Sequence, residues 1–286
     1  SVVYGETLLN SEASNARGKV VQLFDQAGVV TSDDYDFKGN LLRSHRQLAK
    51  AVGLIPAYKT TVDWSAAVQL ETDIYTNRTR YDAPNRPTEL TAPDNSVIRP
   101  GYNEANLLER VDVNLHGAQQ NGEPVWTPFI TDIDYDAKGQ RTQIDYGNGA
   151  RTDYTYDPLT LRLVHLLTRR NATNFPDDFP EAPPSDWPGF ALQNLHYTYD
   201  PAGNITQIRD DAQQTIYFKN TRVEPSADYT YDAVYRLIEA TGREHLGQTG
   251  GAPIPHSYND FPRVSVPHPS DGNAMGRYLE RYVYDA

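Results

Sequence analysis

Polar and apolar residues alternate in short runs along this chain. Residues 131–135 read TDIDY and residues 152–156 read TDYTY. A period of two sends successive side chains to opposite faces of an extended strand. Each run ends on Tyr. Asp follows, then a small residue or Pro, then often Gly or Asn, as in YDAKGQ from Tyr135 and YDPAGN from Tyr199. An Asp side chain accepts hydrogen bonds from backbone groups two residues on, and Gly or Asn tolerates positive φ, so this stretch predicts a turn. A second run, NITQI (204–208) or RLIEA (236–240), predicts the returning strand. The predicted unit is a β-hairpin with Tyr at the end of its first strand and Asp opening its turn.

The unit recurs. It opens at Tyr35, Tyr81, Tyr102, Tyr135, Tyr156, Tyr199 and Tyr231, followed by Asp36, Asp82, Asp136, Asp157, Asp200 and Asp232, with Asn103 after Tyr102. A truncated copy opens at Tyr284 and a weaker one, FDQAGVVTS, at Phe24. Tyr81 to Tyr102 and Tyr135 to Tyr156 are each 21 residues, and the gaps of 43 and 46 are near twice that. The gaps of 33, 32 and 53 fit the unit only with insertions. Such self-similarity signals a repeat architecture.

A lone hairpin cannot bury its apolar face, so consecutive hairpins must pair edge to edge into a long sheet, which twists and coils as it grows. The expected fold is therefore all-β: tandem hairpins forming a long coiled antiparallel sheet over residues 1–286. Asn148–Gly149 predicts a further hairpin turn. Loop insertions are expected at 51–70, with a short helix there, at 169–192, which holds five Pro, and at 246–276. The repeat resumes after each, so none reads as a linker between domains. The Tyr side chains are expected to pack as a ladder and the Asp side chains to close turns. Truncating Tyr199 or Tyr231 to Ala is expected to cost about 3–5 kcal/mol, the range for a buried aromatic.

Composition narrows the function. The chain has 20 Tyr against 8 Phe, which suits half-buried pleated surfaces. A net charge of −12, with no basic stripe beyond short groups such as Arg169–Arg170, argues against nucleic acid. There is no Cys, which removes disulfides, thiol nucleophiles and thiolate metal sites. No apolar run is long enough to predict a membrane-spanning helix. The chain opens at Ser1 and stops at YVYDA, inside the motif, so it reads as a piece of a longer polypeptide.

YDFKGNLLRSHRQLA, YTYDPAGNITQIRDDAQQT and YTYDAVYRLIEATGREH resemble the YD repeats of RHS proteins. The nearest resemblance is to the B and C components of bacterial Tc insecticidal toxin complexes, and it covers about residues 15–286. It implies a β-sheet strip that spirals into a hollow shell, a secreted virulence factor, and two kinds of partner. These are the remaining YD-repeat shell of the same or a partner toxin chain, and an enclosed toxic polypeptide. Teneurins, whose YD shells serve adhesion at animal cell surfaces, are more distant relatives and give the alternative: an extracellular module binding a glycan or receptor. A hydrolase hidden in the inserts is a third reading.

The chain carries no motif that demands chemistry. Asp132, Asp134 and Asp136 form D-x-D-x-D, which on a strand would share one face and suit Ca²⁺, but the EF-hand pattern fails at Ala137 and Gln143. A solvated acidic face is the plainer reading. The seven His (45, 116, 165, 196, 245, 256 and 268) show no metal-ligand spacing, and Glu244 and His245 are strand neighbours on opposite faces. There is no nucleophile elbow and no phosphate loop. Asn77, Asn171 and Asn204 match the glycan-acceptor pattern by chance in a bacterial protein. No catalytic residue, cofactor or metal is expected, and the repeat Tyr and Asp are read as structural.

Overall fold

The computed structural model describes residues 1–50, 61–178, 189–248 and 271–285. They fall into two compact units, Ser1–Ile133 and Asp134–Ala286. Both are built from antiparallel strands, with 3-10 turns and no α-helix among the described residues.

The first unit carries β1 (Val2–Tyr4), β2 (Val20–Phe24), β3 (Gly28–Tyr35), β4 (Leu41–Leu48), β5 (Tyr75–Tyr81), β6 (Pro87–Thr91), β7 (Val97–Tyr102) and β8 (Leu108–Asn114). The short pair β9 (Gln119–Gln120) and β10 (Glu123–Pro124) follows, and then β11 (Thr127–Tyr135), whose last residues pass into the second unit. Apart from the β9–β10 pair, each strand bonds to the next in order, and β8 pairs with β11. This is a meander. Strand direction alternates, so the turns after Tyr35, Tyr81 and Tyr102 share one rim. The connections 92–96 and 115–126 share the other with the strand ends at Leu48 and Tyr75.

The second unit repeats the plan with β12 (Arg141–Tyr146), β13 (Ala150–Tyr156), β14 (Leu163–Arg170), β15 (Phe190–Tyr199), β16 (Ile205–Asp210), the small hairpin β17 (Ile216–Phe218) and β18 (Thr221–Val223), β19 (Ser226–Tyr231), β20 (Leu237–His245) and β21 (Met275–Arg281). The meander runs β12 to β16, then β19, β20 and β21. Its YD turns again share one rim, and the other holds the connections 147–149 and 211–225 and the strand ends at Arg170, Phe190, His245 and Met275. The β17–β18 hairpin packs against β21.

A meander with so little covering it buries few side chains completely. Val21, Val29, Val113 and Ile133 are the larger ones in the first unit. Ile144, Val223 and Ala240 do the same in the second, Val223 with 0% exposure. Most strand residues are half-buried, covered by neighbours on adjacent strands rather than by a second layer.

Several expectations change. Residues 61–70 form a turn and a single bridge, Ala49 to Leu70, not a helix, and residues 51–60 lie outside the described set. β14 continues through Arg170 and β15 starts at Phe190, so the Pro-rich insertion is shorter than 169–192. The ladder closes on the Arg170–Phe190 pair, and residues 171–175 turn away before the first Pro, Pro176. Likewise β21 begins at Met275, inside the expected 246–276 loop. The weak copy at Phe24 is a two-residue turn on the other rim, and its ring meets Trp64 edge-on at 5.0 Å. The degenerate repeat is at Tyr4 instead. β1 ends there with the register shift seen at the repeat Tyr residues, and β2 returns after a long loop.

Candidate functional site

Each YD turn is closed by its own Asp. In the turn of Asp36 the Asp carbonyl accepts from the Gly39 N–H at 2.9 Å, and the Asp N–H donates to the Asn40 carbonyl at 2.9 Å. The Asp36 carboxylate accepts from the Lys38 and Asn40 N–H groups at 2.9 and 2.8 Å. The turns of Asp136 and Asp232 repeat the carboxylate contacts through Lys138 and Gln140, and through Val234 and Arg236. Asn103 makes the same pair to Ala105 and Leu107, so a side-chain oxygen matters here and a charge does not. This is a three-residue loop with its last residue in the left-handed region. Gly39, Gly139 and Gly203 occupy that position, Asn85 and Asn106 in two repeats, and Tyr235 in another at φ 65°. The Asp157 turn is one residue longer, and Leu161 takes the position at φ 62°. Where the ladder registers are resolved, they shift by one residue at the Tyr, at Tyr81, Tyr102, Tyr156, Tyr199 and Tyr231.

That shift aims the Tyr at the preceding hairpin. The Tyr102 hydroxyl donates to the Pro87 carbonyl at 3.0 Å, and Tyr156 to Arg141 at 3.0 Å. Tyr199 donates to Leu163 at 2.7 Å, Tyr231 to Ile205 at 2.8 Å and Tyr284 to Leu237 at 2.7 Å. In every case the acceptor is the first residue of the returning strand of the repeat before. Tyr35 follows suit, bonding Val20, the first residue of β2, at 2.7 Å. The residue just before the acceptor often supplies a cation over the same ring. Arg86 lies 4.6 Å from the Tyr102 centroid, Arg162 5.6 Å from Tyr199 and Arg236 4.8 Å from Tyr284.

Side chains at that pre-strand position also tie turn to turn. Asn40 donates to the Asn85 side chain at 2.9 Å, Arg86 to Asn106 at 2.7 Å and Gln140 to the Leu161 carbonyl at 2.9 Å. Along the strands, cross-strand ion pairs such as Arg99–Glu89 and Arg169–Asp153, both 2.9 Å, add a further set of links.

The electrostatics follow from these contacts. Burial pushes the phenols of Tyr102, Tyr156, Tyr199 and Tyr231 above their ordinary value. The Thr160 N–H holds the Asp157 carboxyl below the usual range, the Asn204 amide does so for Asp200, and the Arg236 N–H for Asp232.

All seven predicted repeat Tyr residues sit at strand ends and are half-buried, not buried. Half-burial places the expected truncation cost toward the lower end of the range of about 3–5 kcal/mol that applies to enclosed rings. Tyr81 keeps its position but makes no hydroxyl bond among the described residues. The D-x-D-x-D carboxylates do not line one strand face, since Asp132 and Asp134 are in β11 and Asp136 is turned into its loop. Among the described residues no three potential metal ligands stand together. His165 and His196 stack across β14 and β15 at 4.3 Å, a pairing that their 31-residue separation conceals in the sequence. His256 and His268 lie outside the described residues.

No family model matches the chain. It is 31% identical over 291 residues to "Toxin subunit YenC2" of Yersinia entomophaga, an alignment taking in 99% of this chain and 27% of that protein. It is 28% identical to "Toxin subunit YenC1" of the same organism, over 97% of this chain and 26% of that one. The crystal structure of TcdB2-TccC3 superposes with a TM-score of 0.61 at 29% identity, covering 99% of this chain and 12% of that one. The Photorhabdus luminescens Tc holotoxin pore gives 0.63 at 30% identity, with the same coverage. The chain is an RHS-type YD-repeat segment of the Tc toxin kind. Its strands have the fold of the Tc toxin RHS shell, and the staples described above are the links between its repeats. The RHS segment spans about a quarter of the length of the curated relatives it matches.

Proposed function

We propose that this RHS segment is one continuous stretch of the wall of a β-sheet cocoon, which encloses a toxic polypeptide and helps to deliver it outside the producing cell. The observation that carries this reading is the Tyr hydroxyl-to-carbonyl staple, repeated from hairpin to hairpin. Repetition of one contact along a chain suits a load-bearing wall. A catalytic centre needs unlike groups converging on one point. On this reading Tyr35, Tyr81, Tyr102, Tyr135, Tyr156, Tyr199 and Tyr231 and their turn Asp residues serve structure, and the segment has no catalytic role. Its partners are the rest of the shell and the enclosed chain.

The test is to express the full-length polypeptide that carries the segment, with its toxin partner chains, and to analyse the size-exclusion peak by denaturing mass spectrometry and limited proteolysis. A large particle holding a co-eluting polypeptide protected from protease is the expected result. A particle with nothing inside, or with every segment cut at the same rate, refutes the proposal.

A further inference from the structure

The second unit contains a cleft of about 220 Å³ where the base of the β17–β18 excursion meets β16, β19, β20 and β21. Three features of its lining bear on what it could hold. Ser226 is only 8% exposed, and its hydroxyl has no hydrogen-bond partner among the described residues. Arg243 donates to the Gln214 carbonyl at 3.2 Å but has no carboxylate partner among the described residues, whereas its strand neighbours Arg277 and Arg281 are both ion-paired. The Tyr278 hydroxyl is likewise unpartnered among the described residues. The Ser226 hydroxyl and the Arg243 guanidinium both reach solvent at the cleft, so each is open to bonding a ligand there.

The remaining wall narrows what that is. Asp210 is consumed internally, its two oxygens accepting from the N–H groups of Asn194 and Ala212 and from the Gln213 amide. It gives the cleft a carboxylate that repels a multiply charged anion. One unpaired guanidinium balances one negative charge. The amide oxygen of Gln213 and the hydroxyls of Ser226 and Tyr278 suit alcohol groups, and Ile208 and Pro225 offer an apolar surface for C–H groups. The volume fits a single ring.

We propose that this cleft binds a carboxylated sugar ring, with Arg243 on the carboxylate and Ser226 and Gln213 on ring hydroxyls. The site is independent of the wall reading, and its failure leaves that reading untouched.

The test is a titration of the full chain, followed by two-dimensional NMR, with D-glucuronate, glucose and acetate as probes, and of an oligosaccharide ending in glucuronate. Saturable shifts confined to residues around the cleft are expected for glucuronate. Glucose and acetate should each bind about tenfold or more weaker, the loss of a charge-assisted contact or of the hydroxyl set. Arg243→Gln should weaken glucuronate by a similar factor. Ser226→Ala, a smaller change that keeps the fold, should weaken it several-fold. The oligosaccharide binding as well as the free sugar identifies a terminal glycan residue as the ligand, and its exclusion identifies the free monosaccharide. No saturable shift with glucuronate, an equal response to acetate, or unchanged binding by folded Arg243→Gln and Ser226→Ala chains would overturn the proposal.

Discussion

Removing one oxygen tests the staple. In Tyr199→Phe the ring stays and the 2.7 Å bond to the Leu163 carbonyl goes. A hydrogen bond of this kind is worth about 1 kcal/mol net. In Tyr199→Ala the ring goes as well. A fully enclosed Tyr buries roughly 200 Å². Half of that, at about 25 cal/mol per Å², is worth about 2.5 kcal/mol. With the hydroxyl bond, Tyr199→Ala should cost about 3.5 kcal/mol and Tyr199→Phe about 1 kcal/mol. The assay is urea unfolding followed by far-UV circular dichroism, comparing midpoints at constant slope. Tyr81 supplies the control, because it holds the same repeat position without the hydroxyl bond, so Tyr81→Phe should leave the midpoint unchanged. If Tyr199→Phe matches wild type, or if Tyr81→Phe costs as much as Tyr199→Phe, the staple contributes nothing and the reasoning fails.

Three other outcomes follow from the same geometry. Tyr235 holds φ 65° and is 63% exposed, so Tyr235→Gly should stabilise by about 1 kcal/mol, read as a raised urea midpoint. Burial raises the Tyr156, Tyr199 and Tyr231 phenols, so the folded chain keeps protons that the unfolded chain releases. Stability should be full below about pH 10 and fall as pH rises through the folded values, seen as tyrosinate absorbance appearing together with unfolding. Asp157, Asp200 and Asp232 are held low, so their contribution is present above the ordinary carboxylate value and lost as pH falls through the folded values. Urea midpoints measured downward from about pH 5 should decline, and an Asp200→Asn chain should decline less.

The hairpins were legible because their signals are local. Alternation, Asp and a left-handed-tolerant residue lie within ten positions, and the structure puts a turn after Tyr35, Tyr81, Tyr102, Tyr135, Tyr156, Tyr199 and Tyr231. What the sequence concealed is set by pairing across distance. The acceptor of Tyr199 is 36 residues away and that of Tyr231 26, and no local pattern marks a backbone carbonyl. Phe24–Asp25 mimics the motif in letters, yet the meander puts its turn on the opposite rim. Tyr4 lacks the Asp and so carries no local turn signal, although β1 and β2 pair there as a repeat does. The cleft was hidden for the same reason, since Ser226, Arg243 and Tyr278 meet only through strand order.

The staples all point one way along the chain. Tyr102, Tyr156, Tyr199, Tyr231 and Tyr284 each bond to a residue that precedes them. A ribosome makes the acceptor first. Each new hairpin therefore leaves the exit tunnel facing a docking carbonyl already in place, and needs nothing downstream to lock. Synthesis from the N-terminus lets earlier segments fold first. The polymer can grow as knitting does, row upon finished row, with its unfinished edge confined to the most recent stitch.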